Sequence, residues 1–284
     1  MLSLIAVVAL IALASGGGGA TRRTPSPGPA RPVMALFPIS HPGASPTAAV
    51  VVGGITPAQS AGIDRVLAYT KSISQGSARK PEVALTFDDG PGINTPEILA
   101  ILEHERVPAT FFEMGRSIQA YPAFARDTLA AGFTIANHTV THPFLAHLSE
   151  PEQRREIVGA SQAIHAYGAP SPRLFRPPFG SFDNATERLV HAERMLSVLW
   201  TVDTRDFSQP GTDQIVYTAL SGAKPGAIIL MHDAGGPRGQ TVAALPRIIN
   251  GLRRKHLRPV TVPQLILDDP PPRGLPAPHN LSGR

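Results

Sequence analysis

The 284-residue chain contains no cysteine, so disulfide bonds, thiol catalysis and cysteine-held zinc are all excluded. Charge is scarce as well, at 17% of residues against a usual figure of about 25%. No block of Lys and Arg with interleaved aromatics occurs, which argues against a nucleic-acid partner. The excess of 26 Lys and Arg over 21 Asp and Glu gives a net charge of +5. That charge suits an anionic surface such as an acidic glycan or a cell wall, and equally a plain solubilising excess. The longest apolar run, Leu2 to Ala14, falls short of the roughly 20 residues of a comfortable membrane span. No internal repeat is evident.

Pro (30) and Gly (26) are abundant, and they cluster outside the segments that look folded. Small residues follow Leu2–Ala14 as far as Ala20, then Arg22 and Arg23, the order of a signal peptide, although no basic residue precedes the run. Residues 1–20 are therefore expected to be a signal peptide or N-terminal anchor. The protein would then be secreted or envelope-associated, touching the membrane only if that segment stays uncleaved. Residues 21–80 read as a Pro- and Ser-rich linker and a short helical pre-segment, in which Ile63, Val66, Leu67, Thr70 and Ile73 share a helix face. Residues 81–268 form the expected folded domain, and 269–284 a Pro-rich unpacked tail.

Within 81–268, strand-like and helical runs alternate. Strands are expected at 83–87, 109–112, 133–136, 174–175, 196–202, 227–231 and 259–262. Helices are expected at 96–105, 120–131, 150–166, 185–192, 213–220 and 242–255, with a closing turn at 263–267. Ser149, with Glu152 three residues on, forms a capping box for the third of these helices. The alternation predicts an α/β fold of about seven parallel strands joined by right-handed crossovers, a small or incomplete β/α barrel. In such a barrel the active groups gather at the carboxyl ends of the strands.

Five short motifs lie where strand candidates end. Asp88 and Asp89 enter a Gly-Pro-Gly loop; two adjacent carboxylates repel, and a cation on one leaves the other free as a base. An Asp-Gly turn would explain the same string without chemistry. His138 and His142 are four apart, the spacing that one helical turn uses to align two imidazoles toward a metal. Thr139 and Thr141 can fix that loop by hydrogen bonds. Arg176, stiffened by Pro177 and Pro178, suits the orientation of a carboxylate such as Asp88, and the Phe179 N–H is a potential oxyanion donor. His232 leaves a buried strand and reads as a general acid, with Asp203 or Asp206 as its partner. Leu230, Phe207 and Trp200 are equally explicable as pocket lining or core.

These motifs resemble the polysaccharide deacetylases of carbohydrate esterase family 4, the NodB-homology domain. The resemblance runs from Pro81 to Leu267 and is carried by Thr86-Phe87-Asp88-Asp89-Gly90-Pro91-Gly92, Val107–Phe112 and Asn137-His138-Thr139-Val140-Thr141-His142-Pro143. It implies a distorted β/α barrel with Asp88 as general base, and Asp89, His138 and His142 as ligands of a divalent ion, Zn2+ or Co2+. It also implies Arg176 orienting Asp88, the Phe179 N–H in the oxyanion site, Leu230 in the acetyl-methyl pocket, and His232 as general acid partnered by Asp206. Phe179 stands where many members have Tyr, and Phe207 where many have Trp. The expected activity is N-deacetylation of a GlcNAc-type glycan, peptidoglycan or chitin. O-deacetylation of acetylated xylan and a catalytically silent glycan-binding protein are the alternatives.

Overall fold

The computed structural model describes residues 54–274; expectations for 1–53 and 275–284 lie outside the described residues. The elements are α1 (Pro57–Leu67), β1 (Ser72–Ile73), β2 (Glu82–Asp88), α2 (Thr95–Glu105), β3 (Thr110–Glu113), α3 (Gly115–Ala120), α4 (Pro122–Ala130) and β4 (Thr134–Asn137). There follow α5 (Glu150–Ala166), β5 (Leu174–Phe175), α6 (Asn184–Ala192), β6 (Leu196–Val198), β7 (Val202–Asp203), α7 (Thr212–Gly222), β8 (Ile228–His232), α8 (Gly239–Arg254), β9 (Arg258–Val260) and α9 (Val262–Asp268). The strands form one sheet in the order β1-β6-β5-β4-β3-β2-β8-β7, with β9 beside the first half of β2 and every ladder parallel. The sheet curls into a half-barrel, a distorted β/α barrel of short strands.

Alternation along β2 explains the layering. Val83, Leu85 and Phe87 face outward into a core completed by Ile98 and Leu102 of α2, Ile215 of α7 and Ile248 of α8. Ala84 faces inward, into a second core with Phe112, Leu174 and Ile228, closed by Ile63 of α1 and Leu265 of α9. Thr86 and Asp88 continue that inward row toward the carboxyl ends of the strands. The inward face is thus apolar at its base and polar at its mouth.

Several local expectations are corrected. The helix expected across Ile63–Ile73 is α1, which starts earlier because Thr56 and Gln59 form a capping box ahead of Pro57; Ile73 belongs to β1 instead. The folded unit therefore begins before residue 81. The helix expected at 120–131 is α4, separated from α3 at Tyr121, the residue before Pro122. The strand expected at 196–202 is two: β6 pairs with β1 and β5, while β7 pairs with β8. Where β6 ends, the Val198 and Leu199 carbonyls accept from the Arg176 guanidinium. The closing turn at 263–267 is a helix, α9, capped by the Thr261 hydroxyl. The start of the tail is packed: buried Asp269 accepts from the Arg79 and Lys80 N–H groups, and Tyr69 donates to the Pro271 carbonyl at 2.6 Å.

Candidate active site

Each of the five motifs leaves the carboxyl end of a strand, so one mouth receives all of them. Asp88 ends β2 and is buried. Its Oδ1 accepts from Arg176 Nη1 at 2.7 Å. Arg176 is itself fully buried, beyond β5, and three further hydrogen bonds hold it. Nη1 also reaches Thr86 Oγ1 at 2.9 Å, Nε the Val198 carbonyl at 2.9 Å and Nη2 the Leu199 carbonyl at 3.2 Å. The Phe112 ring lies 4.0 Å from the guanidinium carbon. Burial lowers the Arg176 pKa and Asp88 opposes that shift.

Asp89 adopts a left-handed backbone, φ 74°. Gly90, next to it, can carry no side chain, because a Cβ would overlap the Asp233 carboxylate. His138 Nδ1 lies 2.7 Å from the Arg176 carbonyl, which can only accept. Nδ1 therefore carries a proton, and Nε2 is the ring atom that faces Asp89 Oδ1, at 3.5 Å. His142 Nε2 stands 3.2 Å from the same oxygen.

The two imidazoles do not share a helical turn, as their spacing had suggested. Residues 138–142 form a loop in which Thr139 and His142 both have positive φ, 66° and 65°. Asn137 Oδ1 and the Glu156 carboxylate accept backbone N–H groups of that loop, from Thr139 and from Val140 and Thr141 respectively. The Thr139 hydroxyl accepts the His142 N–H at 3.1 Å. The Asn137 bond is a local Asx-type contact two residues on, whereas Glu156 reaches the loop from 15 and 16 residues away, a contact that no local spacing encodes.

One ligand atom from each of Asp89, His138 and His142 falls within 4.8 Å of the others. Asp89 Oδ1 is buried and accepts no hydrogen bond among the described residues. A carboxylate oxygen in that condition, facing two imidazoles, fits a divalent cation, and two nitrogens with one oxygen are a zinc-type donor set. Burial raises the Asp89 pKa, but His138, His232 and His142 outweigh it and hold the carboxyl well below its usual range. Burial, with His138 beside it, pushes His142 down to about 4. Both groups are thus in the protonation state that ligation requires.

His232 ends β8. Its Nδ1 lies 2.7 Å from Asp206 Oδ1, and its backbone N–H donates to Asp206 Oδ2 at 2.9 Å. Asp206 Oδ2 also accepts from Thr241. Asp203 instead accepts the Arg205 N–H, so of the two acids considered Asp206 is the one paired with His232. Burial works against the charged imidazole, but the bond and charge of Asp206, with Asp89 and Asp88, raise His232 to about 9. Leu230, two residues earlier, is buried on the same inward face. Phe207 is 47% exposed, with its ring 5.6 Å from that of His232. Phe179 is 46% exposed, and its backbone is left-handed at φ 57°. Trp200 sits 5.7 Å from the Arg176 guanidinium, on the interior side.

Asp233, next to His232, is buried. The Thr95 hydroxyl donates to it, its own N–H donates to the Asp88 carbonyl, and burial raises its pKa to about 7. It ties the loop after β8 to the start of α2.

An open-mouthed β/α half-barrel with a candidate cation site, an arginine-held carboxylate and an aspartate-held imidazole at its strand ends is an arrangement suited to hydrolysis. Residues 75–195 match the polysaccharide deacetylase family. The chain is 38% identical over 210 residues to the chitooligosaccharide deacetylase of Sinorhizobium fredii, covering 70% of this chain and 98% of that one. It is 36% identical over 192 residues to a peptidoglycan-N-acetylglucosamine deacetylase of Bacillus cereus, covering 67% and 70% of the two chains. The crystal structure of the Bc1960 peptidoglycan N-acetylglucosamine deacetylase superposes with a TM-score of 0.68 at 33% identity, over 72% of this chain and 96% of that one. The chain belongs to the polysaccharide deacetylase family, carbohydrate esterase family 4, and is a hydrolase.

Proposed function

We propose that this enzyme is a metal-dependent deacetylase that hydrolyses the N-acetyl groups of a GlcNAc-type glycan, chitooligosaccharide or peptidoglycan. The names of its relatives support the substrate class. One observation carries the reading: Asp88, held by Arg176, and His232, held by Asp206, lie beside the Asp89–His138–His142 donor set. Asp89, His138 and His142 would hold the cation. When bound, it would polarise the acetyl carbonyl and acidify a water molecule.

Asp88 takes the proton of the attacking water, and Arg176 keeps its carboxylate aimed. The Phe179 N–H donates to the oxygen that becomes negative as the carbonyl turns tetrahedral. His232, protonated across neutral pH, gives its proton to the departing amine, which leaves poorly as an anion. An ester would need that proton far less, so a histidine held in its charged form favours amide over acetylxylan chemistry. Leu230 and Phe207 line the pocket on the His232 side.

Purified protein loaded with zinc or cobalt is assayed in parallel on chitooligosaccharides, peptidoglycan and acetylxylan. Acetate release from either of the first two, abolished by a chelator, is expected; release from acetylxylan alone overturns the reading. We also read the enzyme as exported, on the strength of the apolar run Leu2–Ala14. Recovery of the protein from the cytoplasm with its N-terminus intact would contradict this.

A further inference from the structure

We propose that Phe144 is a positioning residue: its ring, stacked on that of Phe179, holds the Pro178–Phe179–Gly180 turn in a left-handed backbone conformation. The two rings lie 4.0 Å apart between centroids and within 11° of parallel. Phe179 has φ 57° and ψ 11°, and Gly180 follows at φ 64°. Glycine adopts that region freely, whereas for a bulky side chain it is strained and persists only where surroundings enforce it. Burial does not enforce it here, because the Phe179 ring is 46% exposed.

What grips the ring is aromatic. Phe144 stacks on it, and His142 meets it edge-on at 4.4 Å. An offset or stacked aromatic pair contributes about as much as such a backbone conformation costs, so the stack can decide which conformation wins. Phe144 is well placed to brace. It follows His142 and Pro143, it precedes the fully buried Leu145, and His147 packs against it at 5.5 Å. A second tie joins the same two loops, the Ala146 N–H donating to Ser181 Oγ at 3.2 Å. Phe144 is itself 41% exposed at the mouth, so its ring could also meet a sugar, and the test must separate the two roles.

The effect on turnover rests on the proposed oxyanion role of the Phe179 N–H. Full-length, metal-loaded Phe144→Ala and Phe144→Tyr are compared on a chitooligosaccharide. Phe144→Ala should lower kcat about 3- to 10-fold, the worth of one aromatic contact, with KM and metal content unchanged. Phe144→Tyr should restore kcat. Exchange of the Gly180 and Ser181 amides, now bonded to the Pro177 and Pro178 carbonyls at 3.0 and 2.8 Å, should quicken in the alanine variant and not in the tyrosine one. In a Phe179→Gly background, where the left-handed turn is unstrained, Phe144→Ala should add no further loss.

Faster exchange with unchanged kcat would keep the brace and overturn the oxyanion role of Phe179. Unchanged exchange, or an equal kcat loss in the glycine background, overturns the brace. A raised KM with exchange and kcat unaltered would make Phe144 a substrate contact instead.

Discussion

Asp88 and His232 are register partners across the β2–β8 ladder. Parallel pairing therefore sets two side chains of opposite charge side by side on the inward face, each at the last residue of its strand. A slip of one residue would turn either side chain to the outer face. Each is then oriented by a different part of the chain, Asp88 by Arg176 beyond β5 and His232 by Asp206 beyond β7. Proton removal and proton delivery can thus be separated experimentally.

His232→Ala should damage amide substrates more than an activated ester such as an acetylated nitrophenol, because only the amine needs a proton to leave. Asp206→Asn keeps the shape of the pair but removes the charge that raises His232. Its raised pKa should fall, and the alkaline limit of kcat/KM on a GlcNAc oligomer should move to lower pH. An alkaline limit unmoved in Asp206→Asn would mean that the limb reports another group.

The paired acids should separate by metal content. Asp89→Asn and His142→Ala should lose most of the bound divalent ion and activity together, since each removes one of three ligands. Asp88→Asn should keep the ion and cost about 10²-fold or more in rate, as loss of a general base does. Metal analysis alongside turnover decides this, and a metal-free Asp88→Asn enzyme would reverse the assignment.

Arg176 should be as much structural as chemical. Its donors reach four acceptors, and Lys cannot satisfy all of them with one ammonium. Arg176→Met strips buried Asp88 of its guanidinium partner, a change worth about 3–5 kcal/mol. Thermal melts should show a drop on the order of 10 °C for Arg176→Met and a smaller one for Arg176→Lys. A Tm unchanged in both would show that Asp88 finds another partner.

The features legible in the sequence were those that strand ends advertise. A buried run closing on Asp88, on Asn137 and His138, or on His232 carries its chemistry at a fixed offset from an apolar pattern. What escaped depends on contacts between distant segments. Thr95 and Asp233 are 138 residues apart, and nothing in either neighbourhood names the other. Glu156 lies on α5, yet it organises the loop of His138 and His142. The apolar run suited to one strand became two, and the Arg176 guanidinium, from a distant segment, binds the carbonyls where β6 ends. The spacing of His138 and His142 pointed to the right grouping for the wrong reason, since positive φ angles rather than a helix bring the rings together.

Glu113, at the end of β3, supplies a test away from the proposed chemistry. It is fully buried; Tyr167 donates to its Oε2 at 2.8 Å, while Oε1 has no partner among the described residues. Burial, with Asp233 adding, pushes its carboxyl from the ordinary 4.5 up to about 8 despite the Tyr167 bond. The folded state therefore holds a proton that the unfolded chain releases, and stability should fall as pH rises between those two values. Glu113→Gln keeps an acceptor for Tyr167 and cannot ionise. The variant should match or trail the parent near pH 5 and exceed it at pH 8 by on the order of 1–3 kcal/mol. Asp233, raised in the same direction, leaves the variant a residual slope. Denaturant titrations across that pH range give the measurement, and parallel curves for the two proteins would mean that Glu113 is not neutral in the folded state.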